Sequence, residues 1–193
     1  MTARLVLMIS GSGSNLQAIL DACASGRLAA QVVAVISNRS DAYGLERARQ
    51  AGVPAVVKPK RKELDRNEYG AELAALVAGF QPDWVVLAGW MLLLTPSFLD
   101  QFPNRVVNLH PALPDTFPGT HAIERAYEAF QQGKIERTGV MVHLVPDAGV
   151  DNGPLLAREE VAILPNETLA ELEERIHQVE HRLLVTTLQQ LIK

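Results

Sequence analysis

The sequence predicts an α/β fold, built as a doubly wound and mostly parallel sheet with helices on both faces. Short apolar runs alternate with segments of helical periodicity through the first half of the chain. A glycine-rich loop separates the first run from the first helical segment, and two extended runs followed by a long amphipathic segment end the chain. We therefore expect an antiparallel pair near the C-terminal end and a long final helix.

The first half of the chain contains strand and helix signals in strict alternation. The apolar runs with the length of buried strands lie at residues 4–9, 32–36, 53–57, 84–88 and 105–109. Segments with helical character follow them at residues 16–23, 45–51, 69–77 and 96–102. Residues 38–41 supply turn and cap residues before the second helix. Pro54 lies inside the weak third strand, which indicates an edge position in the sheet.

The pattern changes in the second half of the chain. Residues 139–145 and 155–163 are extended runs joined by turn-rich sequence at residues 146–154, which predicts an antiparallel pair. Residues 168–191 carry a stripe of apolar residues at helical spacing and predict one long amphipathic helix. The chain shows no internal repeat or linker, so we expect a single domain over residues 1–193.

The composition excludes several classes of protein. Hydrophobic residues make up 48% of the 193 residues and charged residues 21%, which is too apolar for a disordered chain. The net charge is −4, and acidic residues follow the basic cluster at residues 58–62, so we expect no nucleic-acid partner. A local site for a small anion is compatible with this charge.

Cysteine content and the N-terminus indicate the compartment. Cys23 is the only cysteine, so the chain can form neither an internal disulfide nor a thiolate metal cluster, as is typical of a reducing compartment. The first ten residues lack the full apolar region and cleavage site of a signal peptide. No stretch reaches the roughly 20 apolar residues that span a bilayer. We expect a cytoplasmic protein without a membrane partner.

The loop at residues 11–15 is the first candidate site. It lies at the carboxyl end of the first predicted strand, where open α/β sheets bind ligands, and presents backbone amides at a helix N-terminus. Such a loop favours phosphate. It is neither a Walker loop, which ends in Lys-Ser/Thr, nor the dinucleotide fingerprint, because Leu16 replaces the third glycine. A plain turn between strand and helix is the alternative interpretation.

The second candidate site is the end of the strand that leads to Pro111. Strand alternation places Asn108 and His110 on one face, and the proline ends the strand. A histidine can exchange a proton near neutral pH, and an amide can donate to a developing oxyanion, so the pair suits acyl transfer through a tetrahedral intermediate. A buried structural histidine is the alternative. The partner carboxylate is left open among Asp115, Asp147 and Asp151.

Covalent and metal-assisted mechanisms find less support in the sequence. There is no serine in a G-x-S-x-G elbow, and Cys23 lies in a helical pattern without a nearby histidine. His177 and His181 are spaced as on one helix face but lack the glutamate of the H-E-x-x-H motif. We therefore favour direct transfer without a metal ion.

Five segments in order along the chain carry a family resemblance, and they are ISGSGSNLQAIL, ISNRSDAYGLERA, LAGWMLLLTPSFL, VVNLHPAL and VDNGPLL. With them the sequence resembles the folate-dependent formyltransferases of Rossmann-like fold, and among these the branch that acts on glycinamide ribonucleotide. The resemblance covers nearly the whole chain. It implies that 10-formyltetrahydrofolate donates its formyl group to the amine of that substrate in purine synthesis, with small molecules as the partners of a monomer or homodimer.

The resemblance also assigns the acceptor site. Gly13, Ser14 and Asn15 would hold the ribonucleotide phosphate. His177 and Glu180 on the last helix would face the ribose, although a solvated glutamate is the plainer interpretation of the latter. The phosphate-binding part of the domain would then cover about residues 1–100, and the folate and catalytic part about residues 85–193.

The implied folate contacts are Arg66, Met91, Leu92, Leu93, Leu94 and Asn108. The four consecutive residues would line the pterin pocket through backbone groups, and the arginine would meet the glutamate tail of the folate. Ordinary packing and an ordinary surface arginine are the competing interpretations.

The catalytic roles implied by the resemblance fall on Asn108, His110 and Asp151. The first two would stabilise the oxyanion, while the aspartate would raise the pKa of the histidine and help to relay the proton. The sequence departs from the family pattern in three places: a proline arrives one residue early at Pro114, Pro146 has the character of an insertion, and His177 stands where many relatives have glutamine or lysine.

Three other functions compete with this one. The protein could instead be another formyltransferase, acting on methionyl-tRNA or a nucleotide sugar. The short acidic chain argues against the tRNA enzyme. A formyltetrahydrofolate hydrolase would share the catalytic residues but normally carries an N-terminal regulatory domain. A non-catalytic nucleotide-binding module would use the glycine loop alone.

Overall fold

The computed structural model describes residues 2–192 and contains one seven-stranded sheet. Its strands are β1 (Ala3–Ile9), β2 (Ala30–Ser37), β3 (Ala55–Val57), β4 (Trp84–Leu87), β5 (Val106–His110), β6 (Arg137–Leu144) and β7 (Leu155–Ala162). The end residues of the predicted domain, 1 and 193, lie outside the described residues. The predicted doubly wound sheet is confirmed.

Strand order explains where a ligand can bind. The order across the sheet is β3-β2-β1-β4-β5-β6-β7, with β1 to β5 parallel and the β5–β6 and β6–β7 pairs antiparallel. The chain runs outward from β1 to the edge strand β3 and then returns to β4 on the other side of β1. This reversal opens a crevice at the carboxyl ends of β1 and β4, the usual ligand position in such sheets.

Six helices surround the sheet within the described residues: α1 (Ser14–Ala24), α2 (Gly44–Gln50), α3 (Arg66–Ala78), α4 (Pro96–Leu99), α5 (Ala122–Gln131) and α6 (Leu169–Leu191). One face of the sheet packs against apolar residues of α1 and α6 such as Leu16 and Leu172. The other packs against α3 and α4 through Leu73 and Phe98. Burial of each such side chain contributes about 1.5–3 kcal/mol, so both faces support the sheet.

Capping residues explain where the two longest helices begin. Asp65 begins α3 and Thr168 begins α6, each in a capping box with the glutamate three residues later. The predicted cap within residues 38–41 is wrong, because Tyr43 precedes α2 and makes no side-chain cap bond. The Asp41 carboxylate instead accepts bonds from the Arg39 guanidinium at 3.0 and 2.8 Å. None of the helices within residues 2–192 combines the length and apolar character that a bilayer crossing demands.

Helix α5 was not predicted from the sequence. Its apolar residues recur at helical spacing, with Ile123 and Ala126 buried and Tyr127 and Phe130 partly buried against the core. The signal was therefore present between the two halves of the predicted pattern. Its omission matters because α5 lies next to the site described below.

Candidate active site

Two glycines that touch each other shape the loop after β1. Gly13 precedes α1 with a φ of 73°, in the left-handed region that favours glycine. A Cβ added to Gly13 would lie 2.7 Å from the Gly44 Cα, and a Cβ on Gly44 would lie 3.2 Å from the Gly13 Cα. The Gly44 N–H also donates to the Gly11 carbonyl at 3.1 Å. The loop therefore depends on a glycine at the start of α2, which sequence reasoning missed.

Side chains from two helices hold the same loop. Arg47 on α2 donates through Nε to the Ser12 carbonyl at 2.9 Å. Asn15 donates from Nδ2 to Glu180 Oε2 on α6 at 3.1 Å, and His177 Nδ1 lies 2.9 Å from the same oxygen. The bond to Glu180 raises the pKa of His177 above its ordinary value, against the opposing effect of partial burial.

Burial decides between the two interpretations of Glu180. The residue is only 5% exposed, so it is not a solvated helix residue, and the structure brings it to the loop at residues 13–15. The His177 side chain is 49% exposed beside it. The sequence-predicted acceptor residues are thus brought together at one end of α1, and their binding role stays a prediction.

A second cluster forms where β5 ends. Asp151 Oδ2 lies 3.3 Å from His110 Nδ1, and Asp151 Oδ1 accepts from Asn108 Nδ2 at 3.0 Å. Of the three carboxylates left open by the sequence, Asp115 is exposed and Asp147 accepts from the Gly149 N–H at 2.7 Å instead. The structure therefore brings together the three residues that the resemblance implied.

The Asp151 carboxylate is held on both sides. Its Oδ2 accepts from the Gly119 N–H at 2.8 Å in addition to its contact with His110. Burial acts to raise the pKa of Asp151, but the neighbouring His143, the Gly119 N–H and His110 together bring the pKa below its usual value. Asp151 is therefore ionised at neutral pH and presents a fixed negative charge to the His110 ring.

His110 has an acceptor opposite each ring nitrogen. Nε2 lies 3.0 Å from the Phe117 carbonyl, while Nδ1 faces Asp151. Only the imidazolium can donate to both, because a neutral ring has one N–H. Burial nevertheless lowers the pKa of His110 below its ordinary value, with Asp151 and the Phe117 carbonyl acting in the opposite direction. The implied effect of the aspartate is present, but burial outweighs it.

His143 completes the cluster and was missed by sequence reasoning. The antiparallel register pairs Asn108 with His143, and Asn108 Nδ2 lies 3.1 Å from His143 Nε2. His143 Nδ1 faces the Leu144 carbonyl at 2.8 Å, and in the neutral tautomer with its proton on Nδ1 the Nε2 atom accepts from Asn108. The Asn108 amide consequently donates one N–H to His143 and the other to Asp151.

These side chains open onto a cavity of about 600 Å³. Met91, Leu92, Leu93 and Leu94 line it together with the loop that carries Asp151. Met91 and Leu93 are 61% and 50% exposed and form an apolar rim. Arg66 does not line the cavity and lies at the first position of α3. The structure thus brings the predicted folate segment to the catalytic cluster but not the arginine.

Two bonds between loops link the cavity to the glycine loop. The Ser10 N–H donates to the Gly89 carbonyl, and the Met91 N–H donates to Ser10 Oγ, both at 2.9 Å. The loop that follows β1 and the loop that follows β4 are therefore neighbours across the crevice. Within residues 2–192, no group of three or more His, Cys, Asp or Glu residues is placed to hold a metal ion.

Convergence of an amide, an imidazole and a carboxylate at the carboxyl ends of parallel strands is typical of α/β enzymes that act on small molecules. The protein is an enzyme of this class. The model of the formyl transferase family matches residues 3–188. The chain belongs to the formyl transferase family and is a transferase.

Individual relatives match over almost their entire length. The phosphoribosylglycinamide formyltransferase of Schizosaccharomyces pombe is 50% identical, with 100% of this chain and 98% of that protein covered. The enzyme of the same name from Dictyostelium discoideum is 44% identical, with 97% of each covered. The crystal structure of glycinamide ribonucleotide transformylase 1 from Symbiobacterium toebii is 41% identical and superposes with a TM-score of 0.92, covering 99% of this chain and 88% of that one.

Proposed function

We propose that this protein transfers the formyl group of 10-formyltetrahydrofolate to the amine of glycinamide ribonucleotide, giving formylglycinamide ribonucleotide and tetrahydrofolate in de novo purine synthesis. The observation that carries the proposal is the match over nearly the whole chain with relatives named phosphoribosylglycinamide formyltransferase. The geometry agrees with this proposal. The glycine loop, which suits an anion, and the cluster of Asn108, His110 and Asp151, which suits acyl transfer, open onto neighbouring parts of one crevice.

The acceptor ribonucleotide fits the glycine loop. Backbone N–H groups at the start of α1 and the dipole of that helix attract a phosphate group, with Gly13, Ser14 and Asn15 as its contacts. Glu180, already bonded to Asn15, can accept hydrogen bonds from ribose hydroxyls, and His177 lies beside it. In the proposed complex the amine of the substrate points toward the β5 end of the crevice.

The folate donor fits the apolar cavity. Its rim at Met91 and Leu93 offers exposed apolar surface to a flat heteroaromatic ring, and the backbone groups of residues 91–94 offer hydrogen bonds to the ring edge. Arg66 lies outside the cavity, on the exposed start of α3. In the proposed complex Arg66 therefore contacts only the glutamate tail, which is the part of the folate that projects from the cavity.

The proposed reaction proceeds by direct attack. The substrate amine adds to the formyl carbon, and the carbonyl oxygen becomes an oxyanion, toward which Asn108 and His110 each turn one N–H from the protein acceptors described above. The C–N bond to N10 of the folate then breaks, and the proton lost by the amine is relayed to N10 with the aid of Asp151 and His110. A developing oxyanion favours the imidazolium form of His110, which opposes the effect of burial on its pKa.

A two-substrate assay with the purified protein tests this function. We expect tetrahydrofolate to form from 10-formyltetrahydrofolate only when glycinamide ribonucleotide is present, with formylated product in equal amount. Release of tetrahydrofolate and formate at the same rate without the amine would identify a hydrolase instead. Binding of both ligands without any turnover would indicate a non-catalytic module.

A substitution at Gly44 tests the proposed phosphate loop. A Cβ there would lie 2.4 Å from Ile9 Cδ1 as well as close to Gly13, so Gly44→Ala displaces the loop. We expect KM for the ribonucleotide to rise by about tenfold, with a smaller change in KM for the folate. Gly26→Ala is a control, because that glycine also has positive φ but a Cβ on it meets nothing within 4 Å. An equal rise in both variants would contradict the proposal.

The remaining expectations extend the proposal. We place the phosphate-binding part at about residues 1–100 and the folate and catalytic part at about residues 85–193 of one domain. The single cysteine supports the cytoplasm as its compartment. Both a monomer and a homodimer are compatible with the site, and we expect neither nucleic acid nor a metal ion to take part.

A further inference from the structure

The segment at residues 115–121, called the 115–121 segment below, lies beside the active site and contains several residues with positive φ. Among the described residues, seven non-glycine residues have positive φ, and three of them are Asp115 (62°), Phe117 (45°) and His121 (58°). Side chains with a Cβ disfavour this region of φ. Such conformations persist where surrounding contacts hold them, and they often accompany a functional constraint.

The 115–121 segment contacts both charged members of the catalytic cluster. The Phe117 carbonyl accepts from His110 Nε2 at 3.0 Å, and the Gly119 N–H donates to Asp151 Oδ2 at 2.8 Å. The first bond sets the direction of the imidazole ring, and the second sets the position of the carboxylate. A shift of this segment therefore moves both groups relative to the formyl carbon.

Arg125 on α5 joins this segment to the body of the protein. Its Nη2 donates to the Phe117 and Pro118 carbonyls at 2.8 and 2.6 Å, and its Nε donates to the His121 carbonyl at 3.3 Å. The guanidinium also lies 5.9 Å from the centre of the Phe117 ring. Within the described part of the chain, all hydrogen bonds of this side chain go to the 115–121 segment.

The geometry of these bonds suits a guanidinium better than an ammonium group. Its planar fork can reach three carbonyls of one turn at once, whereas an ammonium is a single point of charge. Helix α5 supplies a firm base, because Ala126, next to Arg125 in the chain, is fully buried and Ile123 is 7% exposed. Arg125 itself lies outside the substrate cavity, since it is not among the residues that line it.

Building on the proposed formyl transfer, we propose that Arg125 is a positioning residue for catalysis, which holds the 115–121 segment so that Phe117 orients His110 and Gly119 orients Asp151. It acts through the two catalytic side chains and touches neither substrate. Loss of Arg125 therefore impairs the chemical step more than the binding of the ribonucleotide, whose proposed site is on the other side of the crevice.

The experiment compares Arg125→Gln, Arg125→Lys and the control Arg137→Gln. Arg137, the exposed first residue of β6, pairs with the exposed Glu160 at the end of the strand away from the cluster, so its loss is expected to leave kcat nearly unchanged. For Arg125→Gln we expect kcat to fall roughly 10- to 100-fold, with KM for the ribonucleotide within about twofold and a melting temperature close to that of the control. Arg125→Lys should recover part of the loss, because it keeps the charge and can bond to one or two of the carbonyls.

A spectroscopic measurement makes the inference independent of turnover. Nitrogen-15 NMR of the imidazoles, with His110 assigned by its absence from His110→Ala, should show a changed Nε2 signal for His110 in Arg125→Gln and none in Arg137→Gln. An unchanged His110 signal, or a kcat equal to that of the control, would overturn the positioning role. If the unsubstituted protein shows no formyl transfer, the proposed function fails, while the NMR comparison still decides whether Arg125 orients His110.

Discussion

Replacing His110 with alanine is expected to lower kcat by about 10²- to 10⁴-fold, the usual contribution of a positioned proton-transfer and oxyanion-stabilising group. The imidazole is 4% exposed and has acceptors opposite both ring nitrogens, so alanine leaves the Phe117 carbonyl and the Asp151 carboxylate without this partner. The Asn108 amide cannot compensate alone, because each N–H that it turns to the oxyanion leaves His143 or Asp151.

The measurement is a pair of kinetic and binding experiments on His110→Ala. The dissociation constant of the ribonucleotide should stay within about threefold of its original value, because the glycine loop and Glu180 are untouched. His181→Ala provides a matched control for kcat alone, as that histidine lies on α6 outside the catalytic cavity but lines, with Ser14, a pocket beside the glycine loop. If kcat fell less than about fivefold, or fell equally in the two variants, His110 would not be the oxyanion donor.

Much of the fold could be predicted because its signals are local. Apolar runs bounded by glycine or proline give the five parallel strands, and β3 lies at the sheet edge as Pro54 indicated. The long stripe of α6 is equally plain in the sequence. The missed helix α5 also had a local signal, in the spacing of Ile123, Tyr127 and Phe130. Its omission was therefore an error of interpretation and not a limit of the sequence.

The site was only partly predictable, because several contacts depend on tertiary pairing. Asn108 and His110 follow from strand alternation alone. His143 could be found only from the register of β5 against β6, about 35 residues apart in the chain. Gly44 contacts the loop at Gly13 through the packing of α2, which no spacing rule reveals.

The choice of Asp151 among three carboxylates illustrates the same limit. Its backbone has a φ of 52°, which turns the side chain of a loop residue toward His110 and Asn108. Composition and periodicity contain no information about such a turn, and residue-level reasoning left the partner open. The family resemblance supplied the right neighbour because it transfers a three-dimensional arrangement and not a local pattern.

Replacing Asp151 with asparagine is expected to lower kcat roughly 100-fold, because it removes the charge that favours the protonated form of His110. In the original protein burial lowers the pKa of His110, and Asp151 is the largest opposing influence. Without the carboxylate, that pKa falls further. Less imidazolium is then available at neutral pH to stabilise the oxyanion, while binding of the phosphate group at residues 13–15 should be nearly unchanged.

Titration and unfolding experiments can measure the direction in which Asp151→Asn changes the pKa of His110 and the stability of the protein. Proton NMR should give a lower midpoint for His110 in Asp151→Asn than in the original protein. The pKa of Asp151 is depressed in the fold, so its contribution to stability is present above its usual value of 3.8 and disappears as pH falls through the folded value. The melting temperature of the original protein should therefore exceed that of the variant, and the difference should be larger at pH 6 than at pH 3.

A His110 midpoint that rises, or equal activity of the variant, would remove Asp151 from the mechanism and redirect attention to His143, which contacts Asn108 from the other side.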